Sequence, residues 1–408
     1  MSVTAPPPII CDPYDHALQD DPYPIYAQLR REDPFHHNAE HDFWVMSRHG
    51  DVRSALRIDK AYSNAMGVSL DASSWGPHAR MVMSFLAMDP PEQTRLRKLV
   101  SRGFTPRRVA ELAPQIQRIT DHHFDAALAG ASGEQIELDW ITDAAGKIPM
   151  DVISEMLGVP ESDRAELRRL ADLLVIREDG LRDVPAVGIE AAFELMEYYK
   201  AHVARRHEQP TDDLTSALID AELAGDKMTD QEVIAFLFLM VVAGNETTTK
   251  LLGNAVYHLT AHPEAHYRVF ADETAVPAWV EETLRFDTST QFLARHLLQD
   301  VTLHGRTAPA GSRVLLALGS ANRDEDVFTR PDEFDLDRSP DEWAQSISFG
   351  GGRHFCLGAN LARLEARMIL AELVRRVATV EVDHAACRRF YSSNVRGFAH
   401  MPMRAVVR

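Results

Sequence analysis

Hydrophobic residues recur along most of this chain at the three- and four-residue spacing of helices, and strict alternation is rare. Helical spacing dominates from Asp89 to Ala224, with His207-Glu-Gln-Pro-Thr-Asp-Asp213 as the clearest linker-like stretch. Strand signals are short: Phe43-Trp-Val-Met46 and Arg313-Val-Leu-Leu-Ala317. A capping-box pattern, Thr229-Asp-Gln-Glu232, opens a helix predicted to run to about Thr260, ahead of Pro263. At roughly 48 Å it would cross a whole domain. Its first half is apolar on every face, which predicts burial. A second helix is predicted from after Gly358 to about Val377, with Leu361, Leu364 and Met368 as its core stripe. Ala321 to Phe355 is rich in Asp, Pro, Gly and Arg and lacks periodicity; loops that long are usually functional. The expectation is a mainly α protein with small β-sheets, one continuous core and a single domain over residues 1–408.

Charge narrows the partners. The 408 residues carry 43 basic and 61 acidic side chains, a net charge of −18. Such an acidic chain is a poor binder of nucleic acid or anionic membrane. The apolar run Val233–Gly244 is shorter than the ~20 residues of a membrane span, so it predicts a core helix rather than an anchor. Met1 to Ile10 reads as a flexible Pro-rich arm, not a signal peptide. Three cysteines, Cys11, Cys356 and Cys387, with no CxxC pair argue against a disulfide framework or structural zinc, and for a reducing, cytoplasmic setting.

Three segments break the pattern. Ala243-Gly-Asn-Glu-Thr-Thr-Thr249 places a carboxylate and hydroxyls inside the apolar helix. Thr247 can simply bond back to a carbonyl one turn earlier. Alternatively, Gly244 admits a ligand and the neighbours Glu246 and Thr247 pass it protons. Phe349-Gly-Gly-Gly-Arg-His-Phe-Cys-Leu-Gly358 puts Cys356 just ahead of a helix N-terminus, where a thiolate is favoured, although a buried inert cysteine is the commoner case. Glu282 and Arg285 are neighbours on one helix face, with Arg338 in the long loop; on a surface such a pair contributes little. No dinucleotide-binding glycine motif is completed, because Phe355 stands where its last glycine belongs.

Taken in order along the chain, these segments resemble the cytochrome P450 family of haem-thiolate monooxygenases, from Asp12-Pro13 to Met403. The cysteine loop, the Glu282/Arg285 pair with Arg338, and the Ala243–Thr248 segment match the family's motifs. Met88-Asp-Pro-Pro91, Phe104-Thr-Pro106 and Ala321-Asn-Arg-Asp324 are similar to those of soluble bacterial members. The resemblance implies the cytochrome P450 fold, with haem b (heme b, iron protoporphyrin IX) between the long central helix and the cysteine loop. Cys356 would ligate the iron, with Phe349 beside its sulfur and Ala243 and Gly358 against the macrocycle. Arg97, Arg295 and His354 would hold the propionates. Gln93 stands where relatives usually carry a propionate-binding His. Glu246 and Thr247 would be the acid–alcohol pair that delivers protons, while Glu282, Arg285 and Arg338 would hold the loop. The implied reaction inserts one atom of O2 into a C–H bond of a lipophilic substrate such as a terpenoid, steroid, fatty acid or aromatic natural product. Met66, Met81, Met83 and Phe85 are candidate pocket residues, and Phe286-Asp-Thr-Ser-Thr-Gln291 offers hydroxyls to a polar group on the substrate. Electrons would come from a ferredoxin and its reductase, docked against Arg95, Arg97, Lys98, Arg102, Arg107 and Arg108. Competing readings are a peroxide-driven or non-oxidative haem enzyme, against which the Glu246–Thr247 pair argues, and a haem-based ligand binder, which would be expected to carry an output domain.

Overall fold

The computed structural model describes residues 9–129, 135–223 and 225–408, so the Pro6–Pro8 part of the expected arm lies outside the described residues. The helix Asp230–Ala261 is the axis of the molecule. Thr229 caps it: its hydroxyl accepts from the Glu232 N–H, and the Glu232 carboxylate accepts from the Thr229 N–H. The helices Ile148–Met156, Glu161–Val175 and Ala186–Glu208 pack on one side of it, and Val276–Phe286 and Ala359–Arg376 on the other. The stretch expected as a linker from His207 begins later, because His207 and Glu208 still belong to the helix Ala186–Glu208.

Both sequence-predicted strands form, in one five-stranded sheet ordered Phe35–Asn38, Phe43–Met46, Arg313–Ala317, Phe292–Leu297, Tyr62–Ser63. Strand Phe43–Met46 is apolar throughout because both its faces are covered. Trp44 and Met46 enter one small cluster with Val314 and Leu316. Phe43 and Val45 enter another with Leu315 and Phe292. The core is therefore a main body around the central helix plus two satellites on the sheet's faces, rather than one continuous cluster.

The long loop is ordered by one buried carboxylate. Glu282 and Arg285 have side chains with no solvent exposure. Arg285 forks onto Glu282 at 2.6 and 3.0 Å and donates to the carbonyls of Asn322, Pro331 and Glu333. Arg338, Trp343 and the Asp335 N–H converge on the same carboxylate at 2.9–3.1 Å. Asn322 then accepts from the Ile347 N–H and donates to Ser348, one residue before the cysteine loop. The helix Val276–Phe286 is thus tied, bond by bond, to the segment that presents Cys356.

Breaking a buried pair by removing one partner strands the other charge, at a cost of about 3–5 kcal/mol. Arg285→Leu is expected to lose that much stability in equilibrium denaturation, whereas Thr229→Ala, which removes only a cap, is expected to lose about 1 kcal/mol.

Candidate active site

A cavity of about 1410 Å³, including its mouth, lies between the central helix and the cysteine loop. Leu239, Met240, Ala243, Gly244 and Thr247 line it from the helix, a single stripe at helical spacing. The expected burial on every face fails along this stripe: Ala243 is exposed, to the cavity rather than to a protein neighbour. Phe349, Gly350, His354, Cys356, Leu357 and Gly358 line the opposite wall. Leu293 and Arg295, two apart on strand Phe292–Leu297, face the cavity, while Phe292 and Ala294 between them face the sheet's core.

The cysteine loop needs its glycines. Gly350 and Gly352 have φ of +69° and +61°. A Cβ on Gly352 would stand 2.3 Å from the Leu56 carbonyl oxygen. This close approach brings the Cys356 N–H to the Phe349 carbonyl at 2.9 Å. Burial pushes the Cys356 thiol up, against the opposing pull of the Gly358 N–H, Arg97 and Arg363. A bound metal ion would hold it as a thiolate.

The charges around the cavity ask for an anion. Arg295 is 2% exposed, and its described hydrogen bond, 2.7 Å long, goes to the carbonyl of its neighbour Ala294. Burial brings its guanidinium down to about 10. Arg97 stacks over Phe85 at 5.7 Å, and burial lowers it as well. His354 Nδ1 is buried without a partner. Burial, then Arg295, Arg97 and Arg353, push this imidazole down to about 3, so it is neutral. Among the described residues neither Arg97 nor Arg295 has a carboxylate within ion-pair distance. Two uncompensated guanidiniums, an orphaned imidazole nitrogen and a thiol around one slot fit a flat, dianionic metal macrocycle. A haem's two propionates would neutralise the arginines, and its iron would take the soft sulfur ligand.

The acid and the alcohol part company. Successive helix residues point about 100° apart. Thr247 faces the cavity and donates to the Ala243 carbonyl at 2.8 Å, so the back-bond to the preceding turn and the cavity position occur together. Glu246 does not line the cavity and is 2% exposed. It lies on the reverse face, 3.0 Å from Lys250 Nζ, accepting from Asn245 Nδ2 at 3.3 Å. Asp172, from helix Glu161–Val175, also reaches the Glu246 carboxyl.

Gln93 is likewise corrected. It is 1% exposed and outside the cavity lining, and its amide donates 2.9 Å to the Arg353 carbonyl. It therefore pins the cysteine loop to the helix Glu92–Val100, one turn from Arg97, instead of reaching a haem propionate. Of the four pocket candidates only Phe85 lines the cavity, joined by Leu86 and Met240; Met81 is exposed. The basic surface shrinks too. Arg95 is bound by Asp226 and Glu232 at 2.6 Å, the exposed Arg107 and Arg108 pair with Glu111, and Arg97 turns inward, which leaves Lys98 and Arg102 exposed without a carboxylate partner among the described residues. Sequence reasoning missed Glu365, a cavity-lining acid with a buried, unpartnered Oε2, which burial keeps protonated. Its signal was a carboxylate one helical turn after Leu361, on the core stripe. Asp172 and Lys250 left no such signal.

A family model for Cytochrome P450 matches residues 182–386. Cytochrome P450 123 of Mycobacterium tuberculosis is 53% identical over 97% of both chains. A vitamin D(3) 25-hydroxylase of Pseudonocardia autotrophica is 36% identical over 96% of both. The solved structure of cytochrome P450 CYP109Q5 from Chondromyces apiculatus superposes with a TM-score of 0.86, at 35% identity over 98% of both chains. Likeness of this degree along nearly the whole chain extends to the fold and to the cofactor that the cavity fits, and the chain belongs to the cytochrome P450 family of haem b-binding monooxygenases.

Proposed function

We propose that this protein hydroxylates a lipophilic, polycyclic substrate that carries a hydroxyl or carbonyl group, using electrons from a ferredoxin. The observation that carries the reading is one polar strip beside the apolar wall of the cavity. Phe85, Ile153, Phe236, Leu239 and Met240 form a greasy wall that excludes water. Thr288, Ser289 and Thr290 interrupt it, and Ser289 Oγ is buried without a partner. An orphaned hydroxyl in such a wall costs free energy until a ligand satisfies it. The relative named as a vitamin D(3) 25-hydroxylase supports a secosteroid or steroid alcohol as the substrate class.

A haem held by Cys356 would supply the oxidising chemistry for inserting one atom of O2 into a C–H bond. The chain's own residues do the rest. Arg97, Arg295 and His354 fix the cofactor's anionic edge, and the Phe349 carbonyl holds the loop of its ligand. The apolar wall orients the substrate, with the Ser289 hydroxyl as its polar stop. Thr247 passes protons into the cavity when its O–H leaves the Ala243 carbonyl, to which it donates at rest, and turns to the ligand. Glu246 recharges it from behind the helix. Lys98 and Arg102 receive the acidic ferredoxin on the cysteine-loop side.

Three measurements test these roles. Thr247→Ala is expected to keep consuming electrons while product per electron falls by about tenfold or more and peroxide accumulates; full coupling in this variant overturns the proton-delivery role. Ser289→Ala is expected to weaken a steroid alcohol by about 1 kcal/mol, roughly fivefold in Kd, in a spin-state titration of the ferric protein, and to leave its deoxy analogue unchanged. Arg102→Glu is expected to slow ferredoxin-supported turnover, more so at low salt, and to spare peroxide-supported turnover; equal loss in both assays removes the docking site from this surface.

A further inference from the structure

Glu246 faces away from the cavity it serves, so its proton must come from the other side of the helix. Two buried groups and one half-buried group meet there. Glu246 is 2% exposed and Lys250 3%, with Oε2 and Nζ 3.0 Å apart. Lys250 cannot swing to water: its ammonium sits 3.6 Å over the Phe390 ring and reaches the Phe398 carbonyl at 3.4 Å. The third group is the Asp172 carboxyl, which is in hydrogen-bonding contact with Glu246 and partly open to solvent.

The charges here do not balance as two carboxylates. Among the described residues Lys250 is the cation at ion-pair distance from Glu246, while Arg168, whose charge also reaches Asp172, is shared with Asp151 at 3.4 Å and the Lys147 carbonyl. Two carboxylates in hydrogen-bonding contact do not both stay ionised when one ammonium and a guanidinium shared with Asp151 are their only nearby counter-charges among the described residues. Glu246 Oε2 also lacks a donor at hydrogen-bonding angle, because Lys250 approaches it off axis. A proton on Asp172 supplies that donor and removes the excess charge together. The balance of burial and partners agrees. Burial and the Glu246 charge drive Asp172 up, whereas for Glu246 the burial is outweighed by Lys250 and the hydrogen bond from Asp172, which hold it down.

We propose that Asp172 is the outer station of the proton path: it holds one proton against Glu246 and releases it through that carboxylate toward Thr247. In the step, the Asp172 O–H bond breaks and a Glu246 O–H bond forms. Asp172 is left as a carboxylate facing Lys250, and solvent then reprotonates it. Asp172 touches neither substrate nor haem in this scheme; it is a positioning residue for the proton, acting through Glu246. The inference rests on the delivery role proposed above for Glu246 and Thr247.

Infrared difference spectra of the haem-loaded ferric protein in H2O and D2O test where the proton sits. The expected result is a protonated-carboxyl C=O band that disappears in Asp172→Asn. It should disappear in Glu246→Gln as well, because Asp172 then ionises against Lys250. Glu365→Gln removes a separate band and serves as the control. In turnover, Asp172→Asn is expected to lower product per electron by about tenfold and to raise the solvent isotope effect, with the haem spectrum and peroxide-supported turnover unchanged. The double variant Asp172→Asn/Glu246→Gln should be no worse than Glu246→Gln alone. A band that survives in both single variants overturns the shared proton, and wild-type coupling in Asp172→Asn overturns the path. Should Thr247→Ala remain coupled, the delivery reading fails, while the infrared bands still decide the site of the proton.

Discussion

A carboxylate buried with no solvent exposure must be paired or it unfolds its surroundings, and Glu282 is such a carboxylate. Its demand for donors organises the second half of the chain. Arg285, Arg338, Trp343 and the Asp335 N–H all turn toward it. The aperiodic stretch from Ala321 to Phe355 is therefore not loose: it is wrapped around an ionic hub and handed on, through Asn322 and Ser348, to the cysteine loop. Position at Cys356 is set by hydrogen bonds, which are directional, rather than by packing, which is not.

The second constraint is a local excess of positive charge in an acidic protein. With a net charge of −18, many of the chain's arginines find a carboxylate. Arg97 and Arg295 do not, and both face one slot with a neutral His354 between them in charge terms. The folded chain on its own holds a destabilising arrangement there, which binding of a dianionic cofactor relieves. Cofactor binding and folding are linked for this reason, and the slot selects its occupant by charge as much as by shape.

The central helix separates two environments. Its cavity stripe carries Thr247 and otherwise apolar or small side chains, which suits a greasy substrate. Its reverse face carries Glu246 and Lys250 in a compact polar pocket closed by Asp172. A charged acid inside the cavity would draw in water and spoil the apolar wall; behind the helix it can hold protons without doing so.

Much of this was legible in the residue order. The capping box at Thr229 and Glu232, the strands at Phe43 and Arg313 and the glycines around Cys356 are determined locally, by backbone geometry and spacing, and each formed as read. What only the tertiary structure decided is where each side chain's partner lies. Gln93 occupied a cofactor position in the sequence, yet a carbonyl from the remote cysteine loop captured its amide. Arg95, Arg107 and Arg108 looked like a basic patch until Asp226, Glu232 and Glu111 arrived. Glu246 and Thr247 are adjacent in the chain and were read as acting on one ligand together. A helix turns consecutive residues about 100° apart, and packing of the helix Glu161–Val175 against one face assigned the acid to Asp172 and the alcohol to the cavity. Spacing along a chain determines local conformation and which residues share a face. Whether that face meets a cavity, a carboxylate or water depends on elements far away in sequence, and only the folded chain brings those together.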